Sequence, residues 1–166
     1  MTFAPRTWVV GETVTAAIMN QEIRDQFSSF FGAWTNYTPT WTAATTNPSL
    51  GNGTLVGRYM KVGLTCTAQI NLVTGSTTTY GSGNYSWALP AAAANSGCTY
   101  IGNAHLLSGS TRWAGQFVIS PAAATASPFF PANSTTTTVA FMQATAPVTL
   151  ASGHQLRITA TYETAS

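Results

Sequence analysis

The apolar residues of this chain recur with two different periods. Up to Trp34 the interval is helical: Ile23, Phe27, Phe30 and Trp34 are spaced by 4, 3 and 4 residues, which places one stripe on one helix face and suits a two- or three-helix seam. Val14-Thr15-Ala16-Ala17-Ile18-Met19 opens that helix, with Thr15 as N-cap and Val14 and Met19 at the positions of a hydrophobic staple. Asn20 falls in the same phase as the stripe, where a polar side chain can fix register or simply face water. Gly32 can end the helix early, and Trp34 then belongs to the linker rather than the seam. The stripe can pack on its own domain or on copies of itself.

From Tyr37 onward the period falls to two. Leu64, Cys66, Ala68, Ile70 and Leu72 alternate with Thr65, Thr67, Gln69 and Asn71, and Leu156, Ile158, Ala160 and Tyr162 alternate with Arg157, Thr159 and Thr161. These are half-buried strands with one face in water. Tyr85, Trp87 and Leu89 make a shorter copy, and residues 54–62, 98–107, 111–120 and 136–143 are further candidates. Gly51-Asn52-Gly53, Gly81-Ser82-Gly83, Ser108-Gly109 and Ser152-Gly153 punctuate them as turns. The reading is therefore a mainly β chain, a jelly-roll-like antiparallel β-sandwich over residues 37–166, preceded by an N-terminal segment, 1–36, with a short α-helix at about 16–31.

Composition agrees and narrows the function. The chain has 29 Thr and 14 Ser but only six Lys and Arg and four Asp and Glu, where about a quarter of residues are usually charged. Half of those charges, Arg6, Glu12, Glu22, Arg24 and Asp25, lie in the first 31 residues. Six basic residues spread from Arg6 to Arg157 without a run or stripe do not suit a nucleic-acid binder, which must displace counterions. No apolar stretch is long enough to insert in a membrane, and no secretory signal is visible. Cys66 and Cys98 lack paired ligand spacing; a disulfide between them is one reading and two buried free thiols the plainer one.

Catalytic chemistry finds little to use. General acid–base hydrolysis needs paired carboxylates or a His with an orienting acid, and the β region holds one acid, Glu163. His105 and His154 have no acid nearby in sequence, so they read as surface or structural residues; a Ser–His pair, or a metal site of His105, His154 and Glu163, would have to be assembled by the fold. No cofactor motif is present: Gly51-Asn52-Gly53 leads into a strand, not a helix. The Asn-x-Ser/Thr sites at Asn36, Asn52, Asn84 and Asn133 follow from the abundance of Ser and Thr. The expectation is no enzyme, no catalytic residue, no metal and no cofactor. Aromatics among hydroxyl and amide side chains can hold neutral sugars, and Tyr80 and Trp113 are the candidate ligand contacts, each with core burial as the alternative.

The segment Pro5-Arg6-Thr7-Trp8-Val9-Val10-Gly11-Glu12-Thr13-Val14-Thr15-Ala16-Ala17, with Asn20 and Ile23-Arg24-Asp25, resembles the N-terminal segment of many tailed-bacteriophage virion structural proteins. Tyr37-Thr38-Pro39-Thr40-Trp41, residues 47–59 and residues 75–83 look like parts of the β domain in such minor tail, fibre and head-decoration proteins. The resemblance covers about residues 5–90. It implies a homotrimer on the virion surface, made in the host cytoplasm, whose residues 1–36 serve attachment to other virion proteins and trimerisation, while the jelly roll faces outward and contacts host-surface polysaccharide. A capsid (head) decoration protein that stabilises the shell is the alternative, and a glycan-depolymerase spike a further one.

Overall fold

The computed structural model describes residues 6–165; Pro5 of the motif above lies outside the described residues. One helix covers residues 16–31, α-helical at Ala16–Met19 and Asp25–Phe31 with a π-helical turn at Asn20–Arg24 between them. Thr15 caps it as expected: its backbone is extended and its Oγ1 accepts the Ile18 amide at 3.3 Å. Gly32 ends it in an extended conformation, φ −62° and ψ 151°. A Cβ there would lie 2.8 Å from the Ser28 carbonyl oxygen, so a side chain would have to force the chain elsewhere. Trp34 consequently lies beyond the helix, and its placement in the seam is corrected.

Ten strands follow. β1 (Thr35–Tyr37), β2 (Trp41–Ala43), β3 (Thr54–Val62), β4 (Thr65–Val73) and β5 (Tyr85–Ala88) precede β6 (Tyr100–Ser108), β7 (Thr111–Ile119), β8 (Thr125–Pro131), β9 (Val139–Phe141) and β10 (Gln155–Glu163). All pair antiparallel in the order β1-β3-β4-β10-β6-β7-β8-β5-β2, with β9 also on β8. The fold is thus mainly β, a curled antiparallel sheet of the sandwich or jelly-roll-like kind with one short N-terminal helix. The long strands β3, β4, β10, β6 and β7 make one broad face. The last strand in the chain, β10, is central to it, paired with β4 along nine residues and with β6 along five.

Beyond β7 the sheet folds back on itself. Trp41, Tyr85 and Trp87 from β2 and β5 join Ile70, Leu72, Leu106, Phe117, Leu156 and Ile158 of the broad face in a single core. The Trp41 and Trp87 rings stack 5.8 Å apart, and Tyr85 meets both edge-on. Alternation was a sound guide here: Cys66, Ala68, Ile70 and Leu72 are buried, as are Leu156, Ile158, Ala160 and Tyr162. Leu64 is the exception, half exposed in the turn between β3 and β4.

Three departures from the sequence reading have simple causes. β8 contains Pro128 and Pro131, residues that cannot donate to a ladder and argue against a strand; yet Ala126, Pro128 and Phe130 all point inward, and the Pro128 carbonyl accepts the Met142 amide at 2.9 Å. Of residues 136–143 only Val139–Phe141 form a strand; Asn133 Oδ1 takes the Thr135 amide at 2.9 Å and holds the preceding stretch in a turn. Cys98 precedes β6 and is exposed, so of the two free thiols only Cys66 is buried; burial pushes the Cys66 thiol up.

Candidate functional site

The N-terminal segment leaves its apolar side chains uncovered. Ile23, Phe27 and Phe30 are 44%, 60% and 52% exposed, and Met19, Val14 and Trp8 are similarly bare. On a regular helix two four-residue steps rotate a stripe by about 80°. The wider i→i+5 turn at Asn20–Arg24 reduces that drift between Met19, Ile23 and Phe27. Upstream, Arg6 pairs with Glu12 and its guanidinium lies 5.5 Å from the centre of the Trp8 ring. The Glu12 amide closes a turn on the Val9 carbonyl at 3.1 Å, with Gly11 at φ 82°, a left-handed conformation that favours glycine. Val9 and Val10 project from this turn almost fully exposed. Trp34 is partly buried, with Arg58 6.0 Å from its ring centre.

Trp113 and Tyr80, the candidate ligand contacts, are not brought together. Trp113 packs one side on the core and lines an open groove of about 350 Å3 with Pro131, Asn133, Ser134 and Thr136. The groove exists because β8 pairs with β7 at Gln116–Val118, leaving the first half of β7 unpaired on that side. The Trp113 indole N–H is buried without a partner. Tyr80 does not line this groove; it is partly buried against the core, and its carbonyl accepts the Tyr85 hydroxyl.

The fold does assemble one Ser–His pair. Ser108 Oγ and His154 Nε2 are 3.1 Å apart, while His154 Nδ1 accepts the Ala151 amide at 3.3 Å. An Nδ1 that accepts is unprotonated, so in the neutral ring the proton sits on Nε2 and is donated to Ser108. A general base would need the opposite tautomer, held by an acid on Nδ1. Partial burial also holds the imidazole below its ordinary pKa. The pair therefore ties the turn before β10 to the end of β6. His105, His154 and Glu163 cannot share a metal: His154 just precedes β10 and Glu163 ends it, about 30 Å apart along an extended strand. Among the described residues no cluster of His, Cys, Asp or Glu could hold one.

A feature hidden in the sequence appears on the outer side of the broad face. Arg112 faces Leu107, which faces Gln155; Arg157, two residues further along β10, faces His105 and Asn71; Arg58 faces Gln69, two residues back from Asn71 on β4. Each step from Arg112 to Arg157 to Arg58 crosses two strands and one row of side chains. The three arginines, all exposed, thus form a straight, evenly spaced diagonal, although they are scattered along the chain. The absence of a basic stripe, expected from the sequence, is corrected. Each arginine occupies the polar phase of its strand, which was legible; their alignment depends on register.

No protein-family model, curated protein or solved structure matches the chain. The functional reading rests on the surfaces just described and on the motif resemblance.

Proposed function

We propose that this protein is a non-enzymatic structural component of a tailed-bacteriophage virion, a homotrimeric fibre or minor tail protein. Its N-terminal segment attaches to other virion proteins and its β domain faces the host surface, where it contacts glycan. The observation that carries this reading is the exposed Ile23, Phe27 and Phe30 stripe beside a β domain that has closed its own core. Burying one such side chain stabilises by roughly 1.5–3 kcal/mol, so a three-chain seam multiplies a gain unavailable to the isolated helix. The non-catalytic reading is supported by the single acid of the β region and by the donating tautomer of His154.

Light scattering of the wild type should give a trimer mass. Phe27→Asp should give monomer or aggregate; an unchanged trimer would remove the seam. Antibody labelling of intact particles should decorate the tail, and label on the head instead would make the chain a shell decoration protein. Release of reducing ends from host polysaccharide would overturn the non-enzymatic reading.

A further inference from the structure

We propose that the outer surface of β3, β4, β10, β6 and β7 is a binding face for an anionic polysaccharide, held by the diagonal of Arg112, Arg157 and Arg58. The proposal gives a surface and a ligand class to the glycan contact proposed above and rests on that reading for the ligand's biological source. Strands lie about 4.8 Å apart and a two-residue step covers about 6.8 Å, so successive arginine positions are about 12 Å apart on a line of about 24 Å. That length suits an extended chain, not a compact molecule. Among the described residues none of the three arginines pairs with a carboxylate: the ion pairs are Arg6–Glu12 and Arg24–Asp25, both in the N-terminal segment. Arg157 donates to Gln155 Oε1 at 2.6 Å and Arg58 lies over Trp34, contacts that leave the charges uncompensated. The one acid on this face, Glu163, is three side-chain rows from Arg157, about 20 Å away.

The ground around the arginines carries no acid and is largely polar, with Leu107 beside Arg112 and Val56 opposite Asn71 as apolar exceptions. Gln69 and Asn71 on the diagonal and Asn103 and Thr159 beside it are exposed, and each can both donate and accept hydrogen bonds. Such a grid matches a polyhydroxylated chain, whose hydroxyls are also donors and acceptors. Charge complementarity selects an anionic one, carrying carboxylates or phosphodiesters. A nucleic acid fits less well, because strand residues between the arginines offer no aromatic ring for base stacking and three charges release few counterions. Trp113 points to the other side of the sheet, but Arg112 also borders its groove, so the two places adjoin at the β7 end of the diagonal.

The test uses the full-length protein, with immobilised polygalacturonate, a glycerol-phosphate polymer, neutral dextran and single-stranded poly-dT as probes. Wild type should bind one or both anionic polymers and ignore dextran, with affinity falling as salt rises. Polygalacturonate alone identifies a carboxylate ligand, and the phosphate polymer alone a phosphodiester. Arg58→Gln, Arg112→Gln and Arg157→Gln should each weaken binding about three- to fivefold, and the triple variant should lose it while keeping its melting temperature. Equal binding by the triple variant, loss with Trp113→Ala instead, tighter binding to poly-dT, or no binding to either anionic polymer each overturns the proposal. Those failures leave the trimer mass and particle labelling untouched; absence of the protein from particles, with polymer binding intact, would remove the virion reading and not this one.

Discussion

Two pairs of phenylalanines meet opposite fates in the two parts of this chain. Phe117 and Phe130 in the β domain are each 1% exposed, whereas Phe27 and Phe30 on the helix are 60% and 52% exposed. A curled sheet can cover its own apolar face, because β8 turns the chain back and lays Trp41 and Trp87 against β4, β10 and β6. A single amphipathic helix cannot. It has one stripe, its principal neighbour in the domain is β3, and its intrinsic propensity is too weak to hold sixteen residues helical in water on its own. The β domain therefore covers its own apolar face, whereas the helix keeps a bare stripe that the proposed trimer seam would cover.

The largest expected effect lies on the closed side. Trp87→Ala removes the ring at the centre of the aromatic group and should cost about 3–5 kcal/mol in urea unfolding. A loss under about 1 kcal/mol would show that the second layer does not support the fold. Next comes Tyr162→Phe. Its hydroxyl, buried at the end of β10, donates to the Ala91 carbonyl at 2.8 Å, so its removal should cost about 1 kcal/mol. An unchanged urea midpoint would mean that solvent reaches Ala91.

A smaller effect follows from His154. Its folded pKa is lowered by burial, so as pH falls the unfolded chain takes up the proton first, near pH ~6.5, and the folded state resists it. Stability is full above that pH and declines below it, down to the folded pKa. Protonation also places an N–H against the Ala151 amide where Nδ1 now accepts. The urea midpoint should be lower at about pH 5 than at about pH 8, and His154→Asn should flatten the difference. The smallest effect on β-domain stability should come from the largest change in sequence: removal of residues 1–34, just before β1, should abolish the trimer in light scattering yet leave the domain's melting temperature within a few degrees. A lost melting transition would make the helix part of the β core and erase the contrast between the two regions.

The helix was legible to its ends, because Thr15 and Gly32 are local signals that act through neighbouring backbone atoms. So was the inward phase of β4 and β10, where alternation alone chooses the buried face. β8 was not legible, since its two prolines argue against a strand wherever the pairing partners are unknown. The exposure of Cys98 was missed for a related reason: strand β6 starts two residues later than its apolar run suggests. The Ser108–His154 pair joins residues 46 apart, and the hydrogen bond to Ala151 that makes the histidine a donor exists only in the folded turn.

Local chemistry therefore settled which residues are helical, which face of β4 and β10 is wet, and that the β region carries a single acid. Those properties depend on side-chain type and on contacts a few residues apart. The order of strands and their register are long-range matters, set when the sheet closes and β10 enters between β4 and β6. Only that closure leaves the helix stripe uncovered and brings Arg112, Arg157 and Arg58 into line, because a one-residue slip in any pairing would turn an arginine to the opposite face.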